Sequence, residues 1–209
     1  RFTEPNREIL ARRDSIINDL TRLVDPAGLI TSTDECRAYE TDALTAYRKM
    51  PLAVVLPKTT EEVSAVLKYC HDTGVKVVPR GAGTSLAGGA IPSEDAVGLG
   101  LSKMNRVLAV NYDDRFIRVE AGVTNLSVTA VVAENGFFYA PDPSSQLACT
   151  IGGNIANNSG GAHCLKYGVT TNNLLGVRLV LIDGSIIDLG GDYLDSAGLD
   201  LLGLVVGSE

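Results

Sequence analysis

The sequence predicts an α+β fold in which a small βαβ parallel subdomain precedes a larger, mainly antiparallel sheet flanked by helices. Two observations carry that expectation. Between Leu52 and Val78 an apolar run, a helical stripe and a second apolar run follow one another, which is the order of a βαβ unit. From Val97 to Val119 short apolar runs are separated by short polar turns, and two later runs flank Asp183-Gly184, the pattern of strands joined by hairpins.

Each element follows in order. From Arg7 to Val24, Ile9, Leu10, Ile16, Ile17, Leu20, Leu23 and Val24 share one helical stripe, which predicts a single amphipathic helix packed on its own domain. Glu8, Asp14 and Asp19 lie among Arg7, Arg12 and Arg13, which argues against a helix resting on a membrane surface. Thr31 to Lys49 is polar and irregular and suits a connecting segment. Leu52 to Leu56 is a strand; Thr59 and Glu62 have capping-box spacing ahead of Val63, Val66, Leu67 and Cys70, and Gly74 stops that helix. Val75 to Val78 resumes a β-branched run, expected to be buried, that ends on Pro79. Val97 to Leu101, Val107 to Val110 and Phe116 to Val119 are expected in the antiparallel sheet. Val123 to Asn135, with Leu126, Val128, Val131 and Val132 ahead of Gly136, predicts a further helix. Val177 to Ile182 and Ser185 to Leu189 predict a tight hairpin about Asp183-Gly184.

Two glycine-rich, cation-poor loops stand apart from these elements: PRGAGTSLAGGA from Pro79 to Ala90 and CTIGGNIANNSGGA from Cys149 to Ala162. Glycine lets backbone N–H groups approach a ligand with no Cβ in the way. Successive N–H groups form an anion-binding nest. Gly81, Gly83, Gly88 and Gly89 with Thr84 and Ser85 offer one donor array; Gly152, Gly153, Gly160 and Gly161 with Asn154, Asn158 and Ser159 offer another. The first loop lies at the carboxyl end of a strand of the βαβ unit, where open parallel sheets bind ligands. Together the loops read as a clamp on a diphosphate held by neutral donors, which suits a dinucleotide such as FAD. The nicotinamide-type fingerprint fails, because Leu86 stands where its third glycine belongs and Lys103 where its acid belongs. A nucleoside-triphosphate P-loop fails as well, since it needs Gly-Lys-Ser/Thr where this chain has Gly-Gly-Ala.

At 209 residues, 45% hydrophobic and 21% charged, the chain can bury a full core as one domain, or one domain with a small appendage. A formal charge of −7 without clustered lysine or arginine argues against a nucleic-acid partner. No run reaches the length needed to span a bilayer. Cys36, Cys70, Cys149 and Cys164 have neither CxxC nor zinc-finger spacing, which suits free thiols in a reducing, cytoplasmic compartment. Only His71 and His163 represent histidine, and no metal-ligand cluster stands out. The chain opens on Arg1 rather than methionine, so its targeting is not legible. His71 suits a helix C-terminus, His163 a hydrogen-bonded loop residue, and Glu94-Asp95 and Asp113-Asp114 solvated turns.

The sequences RGAGTSLAGGA, APDPSS at Ala140 to Ser145, TIGGNIANNSGG, the pair Tyr167-Gly168, GVRLVLIDG from Gly176 and the closing LLGLVVGSE, in this order, resemble the vanillyl-alcohol oxidase (PCMH) type of FAD-binding domain. Within that family the likeness is to the group of glycolate oxidase flavoprotein subunits and D-lactate and D-2-hydroxyglutarate dehydrogenases. The resemblance implies an N-terminal helical and connecting segment over residues 1–50 and a PCMH-type domain over 51–209. That domain would end at Glu209, before its last strand and before the family's substrate domain, and leave a sheet edge open to self-association.

By the same resemblance, Arg80, Gly81, Ala82, Gly83, Thr84 and Ser85 would wrap the pyrophosphate. Pro141, Asp142 and Ser145 would lie along the flavin or ribityl chain, although an Asx-type turn is the plainer role for Asp142. Thr150, Gly152, Gly153, Asn154, Asn158, Ser159 and Gly161, with Tyr167 and Gly168, would complete the site. The first loop holds no His, Cys or Tyr, so non-covalent FAD is implied, provided neither His163 nor Cys164 attaches it. The implied activity is oxidation of a 2-hydroxy acid such as glycolate or D-lactate to the 2-oxo acid by hydride transfer to flavin N5. Its base and substrate cations lie largely in the family's substrate domain; no catalytic residue is assigned here, and the chain alone is expected to be inactive. Subunits bearing iron–sulfur centres and a second flavin-domain subunit are the implied partners. The fold also serves a reductase of peptidoglycan-precursor synthesis and an alkyl-glycerone-phosphate synthase, and a non-catalytic flavin-binding or interaction module is a third reading.

Overall fold

The computed structural model describes residues 4–193 and 198–209. The fold class is α+β, as the sequence predicts. The chain divides into two compact units, Arg1–Lys103 with Val180–Ile186, and Met104–Leu179 with Ile187–Glu209.

In the first unit two helices, α1 (Arg7–Ala11) and α2 (Arg13–Leu20), replace the single one expected. Asn6 caps α1, and at Arg12 the backbone leaves helical values (φ −95°, ψ 9°). The apolar stripe keeps its role, with Ile9, Ile16, Leu20 and Val24 buried. Strand β1 (Leu29–Ile30), which no sequence pattern announces, pairs antiparallel with β2 (Ala53–Val55). Between them α3 (Thr33–Cys36) and a 3-10 turn at Arg37–Tyr39 occupy part of the expected connecting segment. Cys36 packs with Val54 and Leu56 under Ile30, Tyr39 and Met50.

Helix α4 (Thr60–Thr73) begins and ends where its signals lie. The Glu62 N–H donates to Thr59 Oγ1 at 3.2 Å. The Glu62 carboxylate, however, accepts the Lys58 N–H at 2.6 Å instead of closing the box on Thr59. Gly74 stops the helix in the left-handed region, φ 73°, where glycine carries no steric penalty.

Strands β3 (Lys76–Arg80) and β4 (Ala96–Gly100) complete a four-stranded sheet of order β1-β2-β4-β3. Here the strand assignment is corrected. The run at Val97 belongs to the parallel sheet, where β4 pairs with both β2 and β3 and is buried along its whole length. A continuous apolar run without alternation is what a strand covered on both faces requires. Strand β3, expected to be buried, is instead the half-exposed edge, a position that tolerates Pro79 and its missing N–H.

Asp95 is also corrected. It is 1% exposed and accepts from Lys76 Nζ at 2.8 Å, Ser93 Oγ at 2.6 Å and the Asn6 N–H at 2.9 Å. Burial pushes its carboxyl up, but the hydrogen bonds from Lys76, Ser93 and Asn6 together outweigh it and bring the pKa from 3.8 to about 2. A folded value below the unfolded one contributes stability above the unfolded pKa, lost as pH falls through the folded value. The wild-type chain is therefore expected to lose stability between pH 3.8 and about 2 through this group. Asp95→Asn should be less stable at neutral pH and lack that loss, which acid melting curves of the two proteins will compare.

The second unit holds β5 (Val107–Asn111) and β6 (Phe116–Val119), an antiparallel ladder with an irregularity between Val107 and Ala109. Asp113 and Asp114 are exposed in its turn. Helix α5 (Asn125–Val132) continues into a 3-10 turn and stops at Gly136, φ 78°. Then come α6 (Ile151–Asn157), α7 (Cys164–Tyr167), β7 (Gly176–Val180), β8 (Ile186–Gly190) and α8 (Leu201–Val205). Val123, Val128 and Ile151 form a core covered by Ile117, Val119, Tyr139 and Ile155.

Strands β7 and β8 form a separate two-stranded ladder, so the antiparallel part is two ladders. In their loop the Gly184 N–H donates to Leu181 O at 2.9 Å and the Leu181 N–H to Ser185 O at 2.8 Å. With Gly184 at φ 86°, this is a turn closed by a left-handed glycine, one residue longer than the tight hairpin expected.

Candidate functional site

Strand β3 delivers the first glycine segment in the first unit. Gly83 and Gly88 adopt φ 70° and 83°, and a Cβ on Gly83 would overlap the Arg80 guanidinium. Among the described residues no acceptor faces the N–H groups of Ala82, Gly83 and Thr84. Ala82 is exposed and Gly83 and Thr84 are partly so, which leaves these N–H groups open to solvent or a ligand, and successive N–H groups in a turn are the donors from which an anion-binding nest is built. The uncharged donors fit a diphosphate, as the composition of the loop predicts.

Arg80 is engaged by the protein itself. Its Nη1 donates to the carbonyl oxygens of Thr41 at 2.7 Å and Ala90 at 3.5 Å, and its guanidinium lies over the Tyr39 ring, 5.6 Å from the centroid. Burial pulls its pKa down, opposed by the nearby Asp42 carboxylate and Tyr39. Asp42, 4% exposed, accepts the Leu44 N–H at 2.8 Å and the Gly88 N–H at 3.0 Å. Sequence reasoning missed Asp42, because a lone acid in an irregular polar stretch carries no periodic or spacing signal.

The second glycine segment, in the second unit, is not the open loop expected. Residues 151–157 are α6, capped by Thr150, whose Oγ1 accepts the Gly153 N–H at 3.2 Å. The Gly152 N–H donates to Ala121 O at 2.9 Å and the Gly161 N–H to Cys164 Sγ at 2.9 Å. The N–H groups of Gly152, Gly153 and Gly161 thus have partners inside the protein, which removes these three from the donor array first expected. Its glycines serve close approach instead: a Cβ on Gly152 would lie 2.9 Å from Ala121 Cβ, and one on Gly161 would overlap the backbone and side chain of Asp142.

Around α6 the remaining candidates are tied to one another. Asp142 accepts the His163 N–H at 3.2 Å and lies 2.5 Å from its Nδ1. The His163 backbone N–H first, then its ring, holds the Asp142 carboxyl below the usual carboxylate range. His163 is thus a hydrogen-bonded loop residue. The buried Asn125 side chain donates to Pro141 O at 2.9 Å, and Ser145 O accepts the Ala148 and Cys149 N–H groups. Asn158 takes φ 48° at the end of α6 and accepts the Thr171 N–H; Ser159 O accepts both the N–H and the hydroxyl of the buried Thr170. Tyr167 O accepts from Asn173 Nδ2, and Gly168 turns at φ 75° against Asn172. Asn154 is 1% exposed, and its Nδ2 has no hydrogen-bond partner among the described residues. A buried amide donor without a partner is one left to a ligand or water.

The family described as "FAD binding domain" matches residues 51–190. A glycolate oxidase subunit GlcD of Escherichia coli (strain K12) is 49% identical over 197 residues, covering 94% of this chain and 40% of the relative. A D-lactate dehydrogenase of Archaeoglobus fulgidus is 40% identical over 197 residues, covering 93% of this chain and 43% of the relative. The chain thus spans less than half the length of these relatives. Among solved structures, an alkyldihydroxyacetonephosphate synthase superposes with a TM-score of 0.82 at 20% identity over all of this chain and 39% of the other, a likeness of fold.

Proposed function

We propose a function from one premise: this chain belongs to the FAD binding domain family. FAD is its cofactor, and when bound it supplies the two-electron oxidation that side chains cannot. The N–H groups of Ala82, Gly83 and Thr84 would hold diphosphate oxygens, with Gly81 and Ser85 at their flanks. In the second unit Pro141, Asp142 and Gly161 would form a rigid wall and Asn154 would offer an amide donor. Non-covalent attachment is supported by the first glycine segment, Pro79 to Ala90, which holds no His, Cys or Tyr.

The reaction proposed is oxidation of a small 2-hydroxy acid, glycolate or D-lactate, to the 2-oxo acid. The observation that carries it is 49% identity to a glycolate oxidase subunit over 94% of this chain, supported by the D-lactate dehydrogenase likeness. The chain's own part is to bind and orient the cofactor; we assign it no catalytic base. Residues 51–209 are proposed as the flavin domain. Transfer of electrons to partner subunits with iron–sulfur centres is proposed because that relative is named as a subunit. No helix among the described residues is long and apolar enough to cross a membrane. A cytoplasmic setting is proposed, supported by four cysteines free of disulfides.

The chain, mixed with FAD and freed of excess, is expected to keep a visible flavin band, and acid precipitation should release that flavin to the supernatant. A colourless protein would overturn the flavin reading; colour left in the pellet would overturn non-covalent attachment. Anaerobic addition of glycolate, D-lactate or another 2-hydroxy acid to the protein purified from its own cells should bleach the band. Bleaching by none of them would overturn the substrate class.

A further inference from the structure

The first glycine segment is anchored at both ends on one short stretch that lies outside the family match. At its start, Arg80 reaches back to Thr41 O and stacks on Tyr39; at its end, Gly88 donates to Asp42 and Ala90 O accepts from Arg80. Tyr39, Thr41 and Asp42 precede residue 51, where the match begins. The acid and the base are both largely withdrawn from solvent and of opposite charge, so each lowers the cost of burying the other. One guanidinium nitrogen, Nη1, donates to Thr41 O and, at the limit of hydrogen-bond length, to Ala90 O while the planar group covers the Tyr39 ring; a lysine ammonium cannot keep both the donation and the stacking. The positive φ of Gly83 belongs to the same frame, since a Cβ there would strike the guanidinium.

We infer that Asp42 and Arg80 are positioning residues of the cofactor site, holding residues 81–87 in the shape that presents the Ala82, Gly83 and Thr84 N–H groups, with the Arg80 charge committed to this frame rather than to phosphate. The inference rests on the flavin reading and changes the role of Arg80 within it. Were Arg80 a direct phosphate ligand, charge would matter most, and lysine would retain much of the effect. As a frame, planar stacking on Tyr39 together with donation to Thr41 O matters most, and lysine should fail as alanine does.

The test uses Asp42→Asn, Asp42→Ala, Arg80→Ala, Arg80→Lys and Asp42→Ala/Arg80→Ala in the full chain. Two readouts are taken: amide hydrogen exchange of residues 81–90 without flavin, and the FAD dissociation constant at low and high salt. Each variant should speed exchange at Gly88 and its neighbours. Each should raise the FAD Kd about ten- to a hundredfold, the range expected for a lost charge-assisted hydrogen bond. The Arg80→Lys loss should match Arg80→Ala, the double variant should lose little beyond either single alanine variant, and the losses should persist at high salt. Asp42→Asn keeps the shape of the side chain and so guards against a fold lost on truncation. Unchanged exchange at Gly88 in Asp42→Asn and Asp42→Ala would overturn the frame. So would near-normal affinity in Arg80→Lys with an Arg80→Ala defect that fades in salt, which would make Arg80 a phosphate ligand. A wild-type chain that takes up no FAD would overturn the flavin reading instead, and exchange alone would then decide whether the frame exists.

Discussion

Gly161→Ala is expected to lower the stability of the second unit by about 3 kcal/mol or more and to abolish flavin retention, as overpacking against backbone does. The added Cβ would overlap the carbonyl oxygen of Asp142 and its Oδ1. Neither can move aside easily. The carbonyl lies between Pro141 and Pro143, both buried, and Oδ1 accepts the His163 N–H. Gly161 itself is held by its N–H donation to Cys164 Sγ, so displacement in either direction breaks a hydrogen bond. Gly136→Ala is the control: φ is 78° but nothing lies within 4 Å of its Cβ, leaving only left-handed strain of about 1 kcal/mol. Urea melts of the two variants against wild type will check this. If Gly161→Ala melts no lower than Gly136→Ala, the close approach to Asp142 is wrong.

Gly83→Ala should divide stability from binding. The substitution combines φ 70° with displacement of the Arg80 guanidinium. The left-handed strain costs about 1–2 kcal/mol, so melting should fall modestly, on the scale of Gly136→Ala. A backbone shifted at residue 83 would also redirect the neighbouring N–H groups of Ala82 and Thr84. A rise of about a hundredfold in FAD Kd is expected, corresponding to roughly 2.7 kcal/mol of binding free energy. Flavin fluorescence titration measures it, and a wild-type constant would show that this nest does not hold the cofactor.

The helix from Thr60 to Thr73 and the stop at Gly136 are legible in the sequence because each depends on neighbours within a turn: a hydroxyl that caps, a glycine that accepts positive φ. The first glycine segment is legible for the same reason, since residues without Cβ atoms expose N–H groups wherever the chain goes. The segment after Thr150 misleads because two glycines weaken helix propensity. Packing of Gly152 on Ala121 and the Thr150 cap override that preference. Propensity is a local quantity, and Ala121 is not local.

The same distinction explains the other differences. The run at Val97 is plainly a strand, but its lack of alternation says only that both faces are covered, not which strands lie beside it; pairing with β2 and β3 placed it at the centre of the parallel sheet. Asp95 has the sequence surroundings of a solvated turn, yet Asn6 and Lys76 bury and pair it. Asp42 is one more acid in a polar stretch until Gly88 is brought to it. The sequence alone determined the periodic elements, their caps and the glycine composition of the candidate cofactor segments, all of which follow from interactions within a few residues. Only the tertiary structure decided strand order, the burial of Asp42 and Asp95 and the turning of Arg80 onto the protein, because a carboxylate or guanidinium takes its role from partners that are remote in the chain.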